Sequence, residues 1–174
     1  NQGTTITDDS IETDECISVV NNGSVLYEAD FVSLDADGFT INVTTAPGTG
    51  YHVYAYGLAG GTYAVGSDTQ KTSTGTKATT GLGIQPAALI LAMTENTVDG
   101  ITAQARGSIG FSDGTTNAAM FYGSEDNVGT SDCSSIHSVT KAVIGGAENG
   151  SSPTTNSEAD IDSFDTDGFT LDWT

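Results

Sequence analysis

The chain contains an internal repeat, and this repeat restricts what it can fold into. Residues 28–44 return as residues 158–174, with ten of seventeen positions identical at an offset of 130. Both copies contain Asp-x-Asp-Gly-Phe-Thr, which combines a tight turn with the start of a strand. Repeats of this kind are typical of serial modules, which are commoner in structural and adhesive proteins than in enzymes with one active site.

The similarity continues upstream with a different spacing. Residues 13–18 align with residues 130–135 at an offset of 117, which implies a 13-residue insertion in the second copy around residues 145–155. This alignment makes Cys16 and Cys133 equivalent. Three states stay open for the two cysteines: a disulfide between them, a disulfide between subunits, or buried thiols that behave as small apolar side chains.

The two copies continue differently. The first runs through a Pro- and Gly-containing link into residues 51–58, Tyr-His-Val-Tyr-Ala-Tyr-Gly-Leu, which the second copy lacks. We therefore expect two regions: residues 1–62, a partial repeat with a closing aromatic strand, and residues 63–174, the main module without its last strand. The two regions are expected to interlock, either into one unit or with a neighbouring subunit.

The composition predicts an all-β fold. The chain has 22 Gly and only 3 Pro, and short apolar runs alternate with Ser- and Thr-rich segments, as in proteins built from short strands and tight turns. About a dozen such strands indicate a β-sandwich of the jelly-roll kind. We interpret residues 87–93 as a buried central strand, apolar on both faces. Residues 131–139 are the one segment that we consider for a short helix.

Residues 51–56 give the clearest strand signal, because aromatic and β-branched residues dominate them. Strand alternation places His52, Tyr54 and Tyr56 on one face, which suits either a protein interface or the stacking of a sugar ring. The predicted interface residues are Tyr51, Val53, Tyr54, Tyr56 and Trp173.

The chain is strongly acidic. It has 23 Asp and Glu against 4 Lys and Arg, a net charge of −19. Such a surface repels phosphate backbones, so we expect no nucleic-acid partner. Three explanations of the charge stay open: adaptation to high salt, binding of divalent cations, and solubility. Because no apolar stretch approaches the ~20 residues of a membrane span, we also expect no membrane partner.

The acidic turns are the candidates for a metal site. Each offers two carboxylates and a Gly that permits a bend, as the start of a calcium loop does. The alternative, which we favour, is that Asp stabilises the turn by bonding its own backbone. Calcium is the one cofactor that we consider, and the extra carboxylates favour the second turn. The candidate ligands are Asp160, Asp162, Asp165 and Asp167 in the second copy and Asp35 and Asp37 in the first.

The sequence favours a protein that is not an enzyme. His52 and His137 are the only histidines, no Gly-x-Ser-x-Gly motif occurs, and Trp173 is the only tryptophan. An active cleft in a sandwich fold usually needs more aromatic platforms and nucleophile motifs than these.

Two segments carry a resemblance to a known family. Residues 80–91, Thr-Gly-Leu-Gly-Ile-Gln-Pro followed by an apolar strand, and residues 163–171, with their Asp-Gly-Phe-Thr turn, resemble the repeated, concanavalin-like β-sandwich modules of tailed-bacteriophage virion proteins. A strand of the Tyr-x-x-Tyr type closes those modules, and residues 51–56 are similar to it. The resemblance covers most of residues 28–62 and 72–174. The order departs from the pattern, since the closing strand precedes the start of the main module.

The resemblance implies a non-catalytic structural protein of the virion, in the tail, a fibre or the head decoration. Its expected partners are further copies of itself or other virion proteins, and its expected location is the virion or the extracellular space. A module without its last strand exposes a sheet edge, so either residues 45–62 fold back or a neighbouring chain donates a strand. Two alternatives stay open: a receptor- or glycan-binding domain of a tail fibre, and an extracellular filament or surface-layer subunit of a halophilic microbe.

Overall fold

The computed structural model describes residues 8–95, 100–125, 133–147 and 153–174. Within these ranges all regular secondary structure is β-strand, and the strands form antiparallel sheets, so the protein has an all-β, sandwich-like fold. The described residues include no helix with the length and apolar character needed to cross a membrane.

The described residues form thirteen strands, numbered here in chain order. They are β1 (Asp8–Ile11), β2 (Ile17–Asn21), β3 (Ser24–Leu34), β4 (Phe39–Thr45), β5 (Gly75–Thr80), β6 (Leu89–Thr94), β7 (Gly100–Ala103), β8 (Ala105–Ser112), β9 (Asn117–Ser124), β10 (Cys133–Ser138), β11 (Val143–Ala147), β12 (Thr154–Asp165) and β13 (Gly168–Trp173).

The strands belong to two compact units. The first comprises the described parts of Asn1–Gly61, Asn96–Ala105 and Glu125–Thr130; the second comprises those of Thr62–Glu95, Arg106–Ser124 and Ser131–Thr174. The first unit contains the sheet β2-β3-β4 and the short pair β1-β7. We predict a boundary after residue 62; the structure places one after residue 61, and two later segments return to the first unit.

The second unit is a sandwich of two four-stranded sheets, ordered β10-β9-β8-β6 and β11-β12-β13-β5. Apolar side chains between the sheets form its core, as strand alternation requires of two facing sheets. One cluster contains Val143, Ala159, Phe169, Leu171 and Trp173, covered by Leu82, Leu89, Leu91 and Met93, and another contains Ala119, Phe121 and Ile144.

The repeated sequences fold into the same three-stranded sheet. We call β2-β3-β4 the first repeat and β11-β12-β13 the second. The pair Ile17 and Ala29 in the first repeat corresponds to Val143 and Ala159 in the second. Two bulges also coincide: each repeat has one between its first two strands and one between its last two, at matching positions, and the first repeat has a further one at Glu28 and Ala29. The register of the whole sheet is therefore encoded by the repeated sequence.

This correspondence corrects the upstream alignment. The amide of Cys16 donates to the carbonyl of Ala29 at 2.9 Å, and the amide of Ala142 donates to the carbonyl of Ala159 at the same distance. The counterpart of Cys16 is therefore Ala142, and the equivalence with Cys133 was wrong. Because the offset changes from 126 to 130, the second repeat has four extra residues between its first two strands.

Two predictions of secondary structure were also wrong. Residues 51–56 form no strand, because strand propensity reflects packing against neighbouring strands and this segment has none. Residues 87–93 do not form a central strand: β6 is the edge of its sheet, and Ile90 on its outer face is 70 % exposed. The segment considered for a helix contains β10, and its residues 131 and 132 lie outside the described ranges.

Candidate functional site

Asp165 closes the turn between β12 and β13. One carboxylate oxygen accepts a hydrogen bond from Ser163 Oγ at 2.7 Å, and the other accepts one from Thr170 Oγ1 at 2.8 Å. Both bonds favour the charged carboxylate, so they lower the pKa of Asp165. Each oxygen is therefore already used in holding the turn.

Asp35 makes the same two bonds in the first repeat. It accepts from Thr40 Oγ1 at 2.7 Å and from Ser33 Oγ at 2.9 Å, and these bonds lower its pKa. This geometry fits the turn-stabilising role that we favour for the acidic turns, although the bonds come from side-chain hydroxyls rather than from the backbone.

The second aspartates of the two turns have different surroundings. Asp167 accepts the backbone amides of Gly81 at 3.0 Å and Gly83 at 2.5 Å, just beyond the end of β5. Its counterpart Asp37 is exposed, and within the described ranges no amide donates to it. Asp167 thus binds the residues that follow β5 in the second repeat, whereas no described strand is paired beside Asp37 in the first.

The remaining candidate ligands are also separate. Asp160 pairs with Lys141 Nζ at 2.9 Å, and this hydrogen bond is the largest cause of the raised pKa of Lys141. Asp162 is exposed. The structure therefore does not gather the six predicted calcium ligands into one group.

A different acidic group lies in the first unit. Carboxylate oxygens of Glu12, Asp14 and Glu15 lie within 4.8 Å of one another, the one such group of three that the described residues contain. The hydrogen bond between Glu15 and Asp14, followed by burial and the nearby charges, raises the pKa of Glu15 to about 7. Sequence reasoning missed this group, although three acids within four residues were a visible signal.

The two cysteines are not joined to each other. Cys16 Sγ donates to the Ala29 carbonyl at 3.2 Å, and Cys133 Sγ lies 3.2 Å from Ser124 Oγ. Both side chains are exposed, so neither is the buried apolar thiol that we consider in one alternative.

The predicted interface residues separate into two groups. Trp173 is only 7 % exposed and belongs to the core of the sandwich, so it was wrongly assigned to an interface. Tyr51, Val53, Tyr54 and Tyr56 are all exposed, and Tyr54 is 88 % exposed. Of these, Tyr51 has a ring contact, with its centroid 6.3 Å from that of Tyr27 on β3.

The first repeat also has an exposed apolar side. Phe39 and Val43 are 45 % and 47 % exposed, whereas their counterparts Phe169 and Trp173 are 8 % and 7 % exposed. The second sheet of the sandwich covers these counterparts. No described sheet covers Phe39 and Val43 to the same extent, although Tyr27 and Ala29 of the same sheet are buried, so the apolar side of the first repeat is only partly covered.

A small cavity lies beside the core tryptophan. Its volume is about 210 Å³, and Trp173 Nε1, which has no hydrogen-bond partner, belongs to a residue that lines it. Most other lining side chains carry hydroxyl or amide groups: Gln70, Thr72, Ser73, Thr74, Asn156, Ser157 and Thr174, with Lys71 at the same cavity. These are donors and acceptors of the kind that bind sugar hydroxyls.

Comparison with known proteins gives no relative. No protein-family model matches the sequence, no curated protein matches it, and no solved structure matches the fold.

Proposed function

We propose that this protein is a non-catalytic structural subunit that assembles into oligomers, in the role of a tail, fibre or head-decoration component of a tailed virus. The virion assignment rests on the motifs in residues 80–91 and 163–171. The assembly role is supported by one observation above all: the same sheet occurs twice, and the side chains that are buried in the second repeat, Phe169 and Trp173, correspond to half-exposed Phe39 and Val43 in the first.

The exposed apolar side chains of the first repeat favour assembly. Burying a large apolar side chain is worth about 1.5–3 kcal/mol relative to leaving it in water. Contiguous exposed apolar patches on soluble proteins usually mark binding surfaces. Phe39 and Val43, together with Phe31 and Leu34 of β3, form such a patch on the first repeat.

Sedimentation of the purified chain over a range of concentrations tests this proposal. We expect oligomers that dissociate on dilution, and we expect Val43→Asp to weaken association by about tenfold or more, because a carboxylate then has to be buried in the contact. Asn42→Asp adds the same charge one residue away, toward the opposite face of β4, and should have little effect. A mass of 17.7 kDa at every concentration would contradict the proposal.

A second candidate function is glycan binding at the cavity beside Trp173. The unpartnered indole N–H and the surrounding hydroxyl and amide groups support it. Trp173 is the only tryptophan, so its fluorescence reports on this cavity directly. A saturable change on titration with monosaccharides, abolished by Asn156→Ala and independent of oligomeric state, would favour this function over assembly; no change with any sugar would remove it.

A further inference from the structure

The second repeat shows how its outer edge is completed. β5 pairs antiparallel with β13, with Gly75 opposite Trp173 and Thr80 opposite Gly168. The chain then continues as Gly81-Leu82, where Gly81 donates to Asp167 and Leu82 packs against the core. At this edge the pairing of β5, the hydrogen bond from the Gly81 amide to Asp167 and the packing of Leu82 in the core therefore occur together.

The first repeat has the same edge without the added strand. β4 is the counterpart of β13, and it pairs only with β3 within the described sheet. Glycines at matching positions show the difference: a Cβ on Gly168 would lie 1.9 Å from the Thr79 carbonyl oxygen of β5, whereas a Cβ on Gly38 would meet nothing within 4 Å. Gly38 occupies the position that corresponds to Gly168, and the space beside it is open.

The chain also contains a segment with no strand partner. Residues 51–58, the aromatic segment, are exposed and form no strand. They end in Gly57-Leu58, as β5 is followed by Gly81-Leu82. When the two Gly-Leu pairs are aligned, Val53 takes the place of Lys77, which faces Leu171 in the second repeat.

We propose that the aromatic segment of another molecule of this protein adds to β4 as β5 adds to β13. This inference rests on the proposed assembly function and names the acceptor edge and the register. Val53 would lie opposite Ile41, His52 opposite Asn42, and Asp37 would accept the Gly57 amide. The apolar residues Tyr51, Val53 and Ala55 then lie on the apolar side of the first repeat, because directly opposed residues share a face.

Another molecule is the occupant for two reasons. The segment of the same chain is not on β4; its first ring lies against Tyr27 on β3 instead. Each molecule also offers both an open edge and an unpaired segment, so two molecules can exchange segments about a twofold axis and leave no β4 edge open.

Cysteine cross-linking tests the register. In a Cys16→Ser, Cys133→Ser background, Asn42→Cys and His52→Cys molecules of different mass tags are mixed under oxidising conditions. Directly opposed residues bring their Cβ atoms to about 4.5–5.5 Å, close enough for a disulfide after small adjustments. We expect a mixed covalent dimer. The matched control is Asp172→Cys with His52→Cys, because Asp172 is the counterpart of Asn42 on an edge that β5 already occupies.

The outcomes separate this inference from the proposed function. Suppose that sedimentation shows oligomers but no mixed covalent dimer forms, or that the control pair reacts equally. Either result would overturn the proposed register and leave the assembly proposal standing. If the double variant Asn42→Cys, His52→Cys closed only within one molecule, the exchange between molecules would be overturned. A monomer at every concentration would overturn the assembly proposal itself.

A glycine substitution gives an independent measurement. Gly38→Val should weaken association about tenfold or more, because its side chain would meet the added strand as a Cβ on Gly168 would meet β5. The isolated molecule has open space there and should keep its unfolding midpoint. Gly48→Val, also in open space, is the control and should leave association unchanged. Equal association of both variants and the unsubstituted protein would overturn the inference.

Discussion

In the second repeat, Phe169 and Trp173 lie beneath another sheet, whereas in the first repeat their counterparts Phe39 and Val43 are about half exposed. The strand register, two of the bulges and the hydroxyl bonds to Asp35 and Asp165 nevertheless match between the repeats. Local sequence therefore specifies the three-stranded sheet, while its surroundings come from the rest of the chain. The first repeat keeps the apolar side that packs against a second sheet in the second repeat, but leaves Phe31, Leu34, Phe39 and Val43 exposed, and this is the physical basis for expecting assembly.

The largest expected difference between the repeats concerns one phenylalanine in each. Phe169→Ala should cost about 3–5 kcal/mol of unfolding free energy, as is usual for a buried Phe. Phe39→Ala should cost well under half of that in the monomer, because the ring is already partly in water. Denaturant unfolding monitored by Trp173 fluorescence follows the second unit, and hydrogen exchange of β3 amides follows the first. Equal losses would show that Phe39 is covered in the monomer.

A smaller effect concerns a charge that differs between the repeats. Glu15 is the counterpart of Lys141, as the residue before the Cys16 and Ala142 amides. Lys141 pairs with Asp160 at 2.9 Å and with Glu158 at 3.4 Å, whereas Glu15 adds repulsion to neighbouring acids. At this one position, therefore, the second repeat has an ion pair and the first repeat has neighbouring like charges.

Glu15→Lys should stabilise the first unit, and pH should reveal the cause. The pKa of Glu15 is raised from 4.5 to about 7, so the folded state binds the proton more tightly than the unfolded state does. The resulting stability is present below pH 4.5 and is lost as the pH rises through 7. The hydrogen-exchange protection factors of the β3 amides should thus fall from pH 5 to pH 8 in the unsubstituted protein. They should change less in the Glu15→Gln variant. The same loss in both proteins would contradict this assignment.

The sequence predicted the strand class and the repeated turns well, because these depend on local features. Alternation, turn glycines and the bonds of Asp35 and Asp165 all lie within a few residues. The failures share one cause. The aromatic segment and Trp173 were assigned from their residue types alone, but the first has no partner strand and the second has a covering sheet. Partners distant in sequence decide both outcomes, and a single sequence does not contain that information.

The acidic turns should show the smallest difference, because their hydrogen bonds are the same in both repeats. The pKa values of Asp35 and Asp165 are lowered by hydroxyl bonds. Folded-state values below the ordinary 3.8 give stability that is present above that pH and lost as the pH falls through the folded values. Asp35→Asn and Asp165→Asn should therefore each make the thermal midpoint less sensitive to pH between 5 and 3, by similar amounts. A clear difference between the two variants would show that packing of the second sheet, and not the turn sequence alone, sets the strength of these hydrogen bonds. The repeated sequence would then determine the strand register but not the stability of the turn.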